Sequence, residues 1–278
     1  MPPTRQDDGV QPTERYTHGH HPTVVAAHAS RTAANSAAYL IPHLRPGVVL
    51  LDVGCGPGSI TLDLADLVAP ATVVGVDNVP AVLAEATAAA ERRGTSNVTF
   101  VEASAYALPQ ADASVDVVHA HQVLQHLADP AAALAEMRRV LRPGGIVAVR
   151  DADYGTMVHT PHDLLLDRWR DLYHEVARRN GGEADAGRHL YGWLRHAGFV
   201  DVVATSSTWT YADPEACRSW GELWAVRITA GAFADHAVDA GLATRDDLDE
   251  LAAAWRMWAT HPDAYFCFVH GEAIGRRP

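Results

Sequence analysis

Between residues 48 and 151 the chain alternates short apolar runs with longer amphipathic ones, and this limits its possible folds more than any other feature. Val48-Val49-Leu50-Leu51-Asp52-Val53 is almost continuously apolar, the pattern of a strand buried on both faces of a parallel sheet. The pattern then predicts a helix over Ser59 to Val68, a strand over Thr72 to Asp77, a helix over Pro80 to Arg93 and a strand over Val98 to Glu102. A fourth strand follows at Val115 to Ala120, a helix at Pro130 to Leu141 and a fifth strand at Ile146 to Asp151. Strands separated by helical segments of about 10–15 residues make βαβ units, so the expected fold class is α/β, a doubly wound Rossmann-like sheet.

Beyond Asp151 the alternation loosens. Helices are expected over Asp163 to Arg179 and Arg188 to Ala197, a strand over Phe199 to Tyr211, a helical region over Asp213 to Trp258 and a closing strand over Tyr265 to Ile274. Residues 23–278 read as one domain, with a cofactor-binding half at 42–151 and helical cap segments at about 155–197 and 213–260 that shape an acceptor pocket. Ahead of it, the polar residues 1–22 read as a mobile arm, and the Ala-rich stretch from Thr23 to Ile41 as one helix ended by Pro42, Pro46 and Gly47.

Charge and composition remove several function classes. With 34 acidic against 22 basic residues the net charge is −12, which repels phosphate backbones and anionic membranes, so neither nucleic acid nor membrane is an expected partner. Every basic residue is Arg; without lysine, imine enzymes, lysine-anchored pyridoxal enzymes and Walker-type NTPases are excluded. Cys55, Cys217 and Cys267 show no CxxC spacing, and Met1 to Gln11 lacks an apolar signal core, so a cytoplasmic protein is expected.

The strongest motif is Asp52-Val53-Gly54-Cys55-Gly56-Pro57-Gly58, directly after the first strand and opening a helix. Glycines at alternate positions let the backbone turn tightly and approach a ligand, with helix amides facing the same ligand. A dinucleotide fingerprint GxGxxG would need its third glycine where Ser59 stands; the spacing here is GxGxG. The second strand ends in Asp77, whose carboxylate can accept from both ribose hydroxyls of a nucleoside. Both readings imply an adenosine ligand, and the glycine spacing separates them.

Together with Gly75-Val76-Asp77, Asp116-Val117-Val118 and Leu141-Arg142-Pro143-Gly144-Gly145, this motif resembles the class I S-adenosylmethionine-dependent methyltransferases, nearest to their UbiE-like small-molecule branch. The resemblance covers about Pro42 to Asp151 and implies a seven-stranded sheet with an antiparallel last strand. It implies that Gly54, Cys55, Gly56 and Gly58 line the methionine moiety of S-adenosylmethionine, that Asp52 orients its amino group, that Asp77 holds the ribose and that Asn78 lies beside the adenine. Ala120, His121 and Gln122 would flank the methionine end. Ser104 stands where the family usually has Asp; its weaker acceptor and the Ala105 backbone are then expected to keep the adenine contact.

Methyl transfer from a sulfonium is an in-line displacement, needing alignment first and a base where the acceptor must lose a proton. His119 and His121 end the fourth strand, on one face by period 2, where open α/β sheets place their ligand crevice. A strand-end His is also commonly structural; His121 is the candidate base, and His126 is expected to pack under the next loop. Asp151, a further catalytic candidate, and Tyr154 should face the same cleft. Tyr16, His18, His20 and His21 cluster ahead of the first helix, without the Cys or carboxylates of a zinc site, so no metal is expected. The resemblance instead implies a lid from which Tyr16 and His20 touch cofactor or acceptor. Trp220 with Trp224, and Trp255 with Trp258, pack in the core or, facing the cleft, stack on a flat acceptor.

The expectation is S-adenosylmethionine-dependent methylation of a small aromatic acceptor at nitrogen or carbon, of indole or quinone type, with His-assisted proton removal, by a monomer or homodimer. A NAD-dependent oxidoreductase is the weaker rival, because Ser59 breaks its spacing and no Tyr-xxx-Lys pair exists. A cyclase or sensor that binds the same nucleoside without methylating would retain the same glycine bend.

Overall fold

The computed structural model describes residues 15–17 and 31–278. The apolar runs become strands β1 (Leu50–Val53), β2 (Val73–Asp77), β3 (Val98–Glu102), β4 (Val115–His121) and β5 (Leu141–Thr160), followed by β6 (Val200–Tyr211) and β7 (Tyr265–Arg276). They form one sheet in the order β3-β2-β1-β4-β5-β7-β6. β1 to β5 pair in parallel, and β7 runs antiparallel between β5 and β6. This is the doubly wound sheet with an antiparallel last strand. The winding reverses at β1, which has β2 on one side and β4 on the other, and such a switch point leaves a crevice at the carboxyl ends of the strands.

Period 2 sorts the strand residues between two cores. Leu51, Val53, Val118, Ala120, Val147 and Val149 pack under α4 (Pro130–Val140) and α6 (Leu190–His196). Leu50, Val117 and Ala148 face the other way, against α1 (Ala33–Ser36) and α2 (Ser59–Val68). α2 presents Ile60, Leu64 and Val68 at four-residue intervals, so one stripe of the helix is buried. Helix α3 (Pro80–Arg93) covers the β2–β3 edge and stops at Gly94, which takes the left-handed conformation. On the α1–α2 face, polar residues succeed apolar ones toward the carboxyl edge. Asp52 is in register with His119, His121 with Arg150, and Arg150 with Glu272.

A third core belongs to the second half of the chain. α5 (Leu164–Arg179), α7 (Pro214–Ala230), α8 (Ala232–Asp239) and α9 (Arg245–Ala259) bury Trp169, Tyr173, Trp224, Phe233 and Trp255 together. Asp163, Asp213 and Thr244 cap three of these helices, each accepting from a first-turn amide. The two Trp pairs lie in this core: Trp220 and Trp224 on α7, Trp255 and Trp258 on α9. All four rings are 7% exposed or less and pack as core.

Several boundaries differ from expectation. β5 continues past Asp151 to Thr160 because β7 keeps pairing with it, as far as Thr160 opposite Tyr265. The helical region after Asp213 is three helices, since Gly231 is extended and Thr244 starts a new capping box. Of the helix expected over Thr23 to Ile41, residues 23–30 lie outside the described residues; the rest holds a single turn, Ala33–Ser36, and a 3₁₀ turn at Ile41–His43. Among the described residues no helix is long and apolar enough to cross a membrane.

Candidate active site

The bend after β1 is tied to β2 by its own amides. Gly54 and Cys55 both donate to the Val76 carbonyl, at 2.8 and 3.0 Å. Gly56 then donates to Asp77 Oδ2 at 3.0 Å, and Val79 to Asp77 Oδ1 at 3.1 Å. Gly54 and Gly56 have φ of 69° and 52°, which side chains other than glycine seldom adopt. A Cβ on Gly54 would collide with Val123, whereas one on Gly56 would project into open space, so the bare backbone at Gly56 is left for a ligand. Each Asp77 oxygen accepts one loop amide.

That cleft is lined by Gly54, Gly56, Asp77, Asn78, Ser104 and Ala105, together with Tyr16, His121, Gln122 and His126. The Ser104 hydroxyl also accepts from the Tyr106 amide at 3.2 Å, which fixes its rotamer.

Five candidates from the sequence do not reach the cleft. Asp52 is buried, with its two oxygens taken by Thr61 Oγ1 at 2.5 Å and His119 Nδ1 at 2.7 Å, so it braces β1 against α2 and β4. The Cys55 side chain turns behind the bend toward Gly75, and burial pushes its thiol up. Gly58 serves as the N-cap of α2, against Ala86 and Phe100. Ala120 belongs to the α4–α6 core. Asp151, fully enclosed, accepts from the Gln125 amide at 3.1 Å and so anchors the loop after β4 from behind. Tyr154 likewise packs inward, stacked on Tyr173 at 4.0 Å. His126 departs in the other direction: it lines the cleft and meets the Tyr16 ring edge-on at 4.7 Å. His18, His20 and His21 lie outside the described residues.

The electrostatics leave no strong base among the described cleft residues. Burial, then the charges of Arg31 and Arg150, hold His121 well below the usual imidazole range. Arg150 Nη1 points a hydrogen at His121 Nδ1 from 3.5 Å, so the neutral ring carries its proton on Nε2 and presents a donor. His126 is lowered to about 3 by burial and by Arg31 and Arg227. Its Nε2 faces the Gln125 amide nitrogen at 2.9 Å, while Gln125 Oε1 accepts from Ala152. Burial raises the Tyr16 phenol to about 12 and the Asp151 carboxyl to about 8, so both stay protonated at neutral pH.

Arg31 and Trp209 carried no recognisable signal in the sequence. Arg31 lines the cleft, donates to Gln122 Oε1 at 2.8 Å and lies 5.5 Å over the Trp209 ring. Gln122 holds this arrangement with φ of 55°, its amide nitrogen 2.8 Å from His270 Nε2. Trp209, on β6, packs 6.1 Å from His121 and 4.5 Å from His270. Behind them Arg150 pairs with Glu272 at 3.3 Å.

Comparison with known proteins agrees with this geometry. A family model described as a methyltransferase domain matches residues 44–198. An uncharacterized methyltransferase from Schizosaccharomyces pombe is 32% identical over 96% of this chain and 99% of its own. A demethylmenaquinone methyltransferase from Thermus thermophilus is 42% identical over 36% of this chain and 45% of that protein. Among solved structures, the YcgJ protein of Bacillus subtilis aligns with a TM-score of 0.56 at 18% identity, over 86% of this chain and 97% of that one, a likeness of fold.

Proposed function

The chain belongs to the class I S-adenosylmethionine-dependent methyltransferases, and from that premise we propose that it methylates a small aromatic acceptor at nitrogen or carbon. S-adenosylmethionine supplies an electrophilic methyl group on a sulfonium. The observation that carries the reading is the cleft itself, which brings the Gly54–Gly56 backbone and Asp77 into one lining with Tyr16, His121 and His126.

In this reading Asp77 accepts from the ribose hydroxyls and the open backbone at Gly56 admits the methionine chain. Arg31, positioned by Gln122 and with its Nε unpartnered, pairs with the methionine carboxylate. Tyr16 and His126 hold the flat face and edge of the acceptor. His121 offers a donor rather than a base, so the acceptor attacks as a neutral nucleophile, an amine or an electron-rich ring carbon; the methyl–sulfur bond breaks to leave S-adenosylhomocysteine, and the cationic product then loses its proton to water. That choice of nucleophile follows from the low basicity of His121 and His126. The quinone acceptor in the name of the Thermus thermophilus relative supports an aromatic substrate.

The test is an assay with methyl-labelled cofactor against indoles, hydroxyquinones and aryl amines beside aliphatic amines. Label transfer confined to aliphatic amines refutes the aromatic reading. Tight cofactor binding with no S-adenosylhomocysteine formed from any acceptor would favour a cyclase or a sensor.

A further inference from the structure

A polar chain runs from the interior of the sheet out to the cleft. His270, midway along β7 and wholly buried, places its Nε2 2.8 Å from the side-chain nitrogen of Gln122. The oxygen of the same amide accepts from Arg31 Nη2 at 2.8 Å, and both Gln122 and Arg31 line the cleft. Donors and acceptors can be matched along this chain in one way only. A guanidinium can only donate, so the Gln122 atom that faces Arg31 is its oxygen, which turns the NH2 group toward His270. The imidazole therefore accepts at Nε2 and is neutral, with its proton on Nδ1. Burial, then the charges of Arg150 and Arg31, hold it well below the usual imidazole range, in keeping with that neutral form.

The backbone is committed to the same arrangement. Gln122, the residue after β4, holds φ of 55°, a region that residues other than glycine seldom occupy, and its amide donates to the Arg150 carbonyl at 2.7 Å. Trp209 on β6 supports Arg31 from a second direction. The guanidinium lies 5.5 Å over its ring, and the indole Nε1 donates to the Asn35 carbonyl at 3.2 Å, which ties down the segment that follows Arg31. The His270 ring packs 4.5 Å from that indole, so one residue of β7 backs both the amide and the ring that hold Arg31.

We infer that His270 is a positioning residue for the cofactor: from behind the cleft it orients the Gln122 amide, so that Arg31 faces the methionine carboxylate, and it thereby sets the preference for nucleosides that carry that carboxylate. The inference rests on the pairing of Arg31 with the carboxylate and adds a residue that is not part of the cleft lining. Without an acceptor at position 270 the amide is free to turn over and present its NH2 to Arg31, donor against donor, which displaces the guanidinium.

Calorimetry on the full-length protein tests it by comparing S-adenosylhomocysteine with S-adenosyl-3-thiopropylamine, the same molecule without its carboxylate. Wild type should bind the first roughly tenfold or more tightly, the gain of a charge-assisted pair, and Arg31→Met should abolish that preference. His270→Phe keeps a ring against Trp209, His270→Leu is close to the native residue in volume, and both lack the acceptor nitrogen. Each should cut the preference about threefold or more while binding the decarboxylated ligand as wild type does. His270→Gln restores an acceptor and should keep part of the preference. Gln122→Met should lose it to the same extent, and in that background His270→Phe should add nothing, since the amide through which it acts is gone. An equal weakening of both ligands in the His270 variants would make the residue merely structural and overturn the inference, as would an unchanged preference or a further loss in the Gln122→Met background. Retention of the preference in Gln122→Met overturns it whether or not the His270 variants fold. A wild type without the preference, or an Arg31→Met protein that keeps it, strikes the assignment of Arg31 to the carboxylate, and the inference falls with it.

Discussion

Replacing Asp77 with Ala tests the cofactor site at the carboxylate on which it is built. Within the described loop two amides lose their acceptor, Gly56 at 3.0 Å and Val79 at 3.1 Å. Asp77 is half-buried and water replaces part of the loss, so the two together are worth about 1–2 kcal/mol of loop order, less than two fully buried charge-assisted hydrogen bonds. The bound nucleoside loses two more, from its ribose hydroxyls, for about another 2 kcal/mol. A total near 3 kcal/mol corresponds to roughly a hundredfold rise in Kd. Calorimetric titration of S-adenosylhomocysteine into wild type and Asp77→Ala measures it, with a thermal melt confirming that the variant remains folded. Asp77→Asn should fall between, because its amide nitrogen must face one of the two loop N–H groups. A folded Asp77→Ala protein whose Kd lies within threefold of wild type would refute the reasoning, as would tight binding of NADH by wild type.

Three further outcomes follow from individual contacts. Gly54→Ala should lower Tm and weaken the cofactor, since φ of 69° costs a side chain about 1–2 kcal/mol and the new methyl meets Val123; adding Val123→Ala should recover part of the Tm, and no recovery contradicts the steric account. Asp151 is raised from 3.8 to about 8, so its contribution to stability is complete below about pH 4 and is lost as pH rises through about 8. Urea unfolding should therefore show a decline approaching ~1.4 kcal/mol per pH unit across that window, flattened in Asp151→Asn, whose Oδ1 can still accept from Gln125; an unchanged slope would count against the protonated carboxyl. Glu272→Gln leaves Arg150 enclosed without its counter-ion and should cost about 3–5 kcal/mol in urea unfolding; a loss under 1 kcal/mol would argue that the pair is solvated.

The sequence by itself determined the parts of this protein written in contiguous segments. The β1–bend–α2 unit and Asp77 at the end of β2 were legible because a strand, a turn and a helix start each have a local chemical pattern, and the GxGxG spacing is a property of five adjacent residues. The same holds for the parallel order of β1 to β5, since crossover helices between buried strands leave little choice of connection. Period 2 also paired His119 with His121 on one face, yet it could not show that Asp52 would be consumed by His119 and Thr61. Nor could it show Asp151 turned behind the loop at Gln125, or His126 turned into the cleft. Only the tertiary structure brought Arg31, Trp209, Arg150 and Glu272 together around His121, from positions as far apart in the chain as residues 31 and 272. The physical reason is that a side chain's charge state and availability are set by its neighbours in space. A His among Arg residues becomes a weak base and a buried carboxyl keeps its proton, whatever their residue types suggest in isolation.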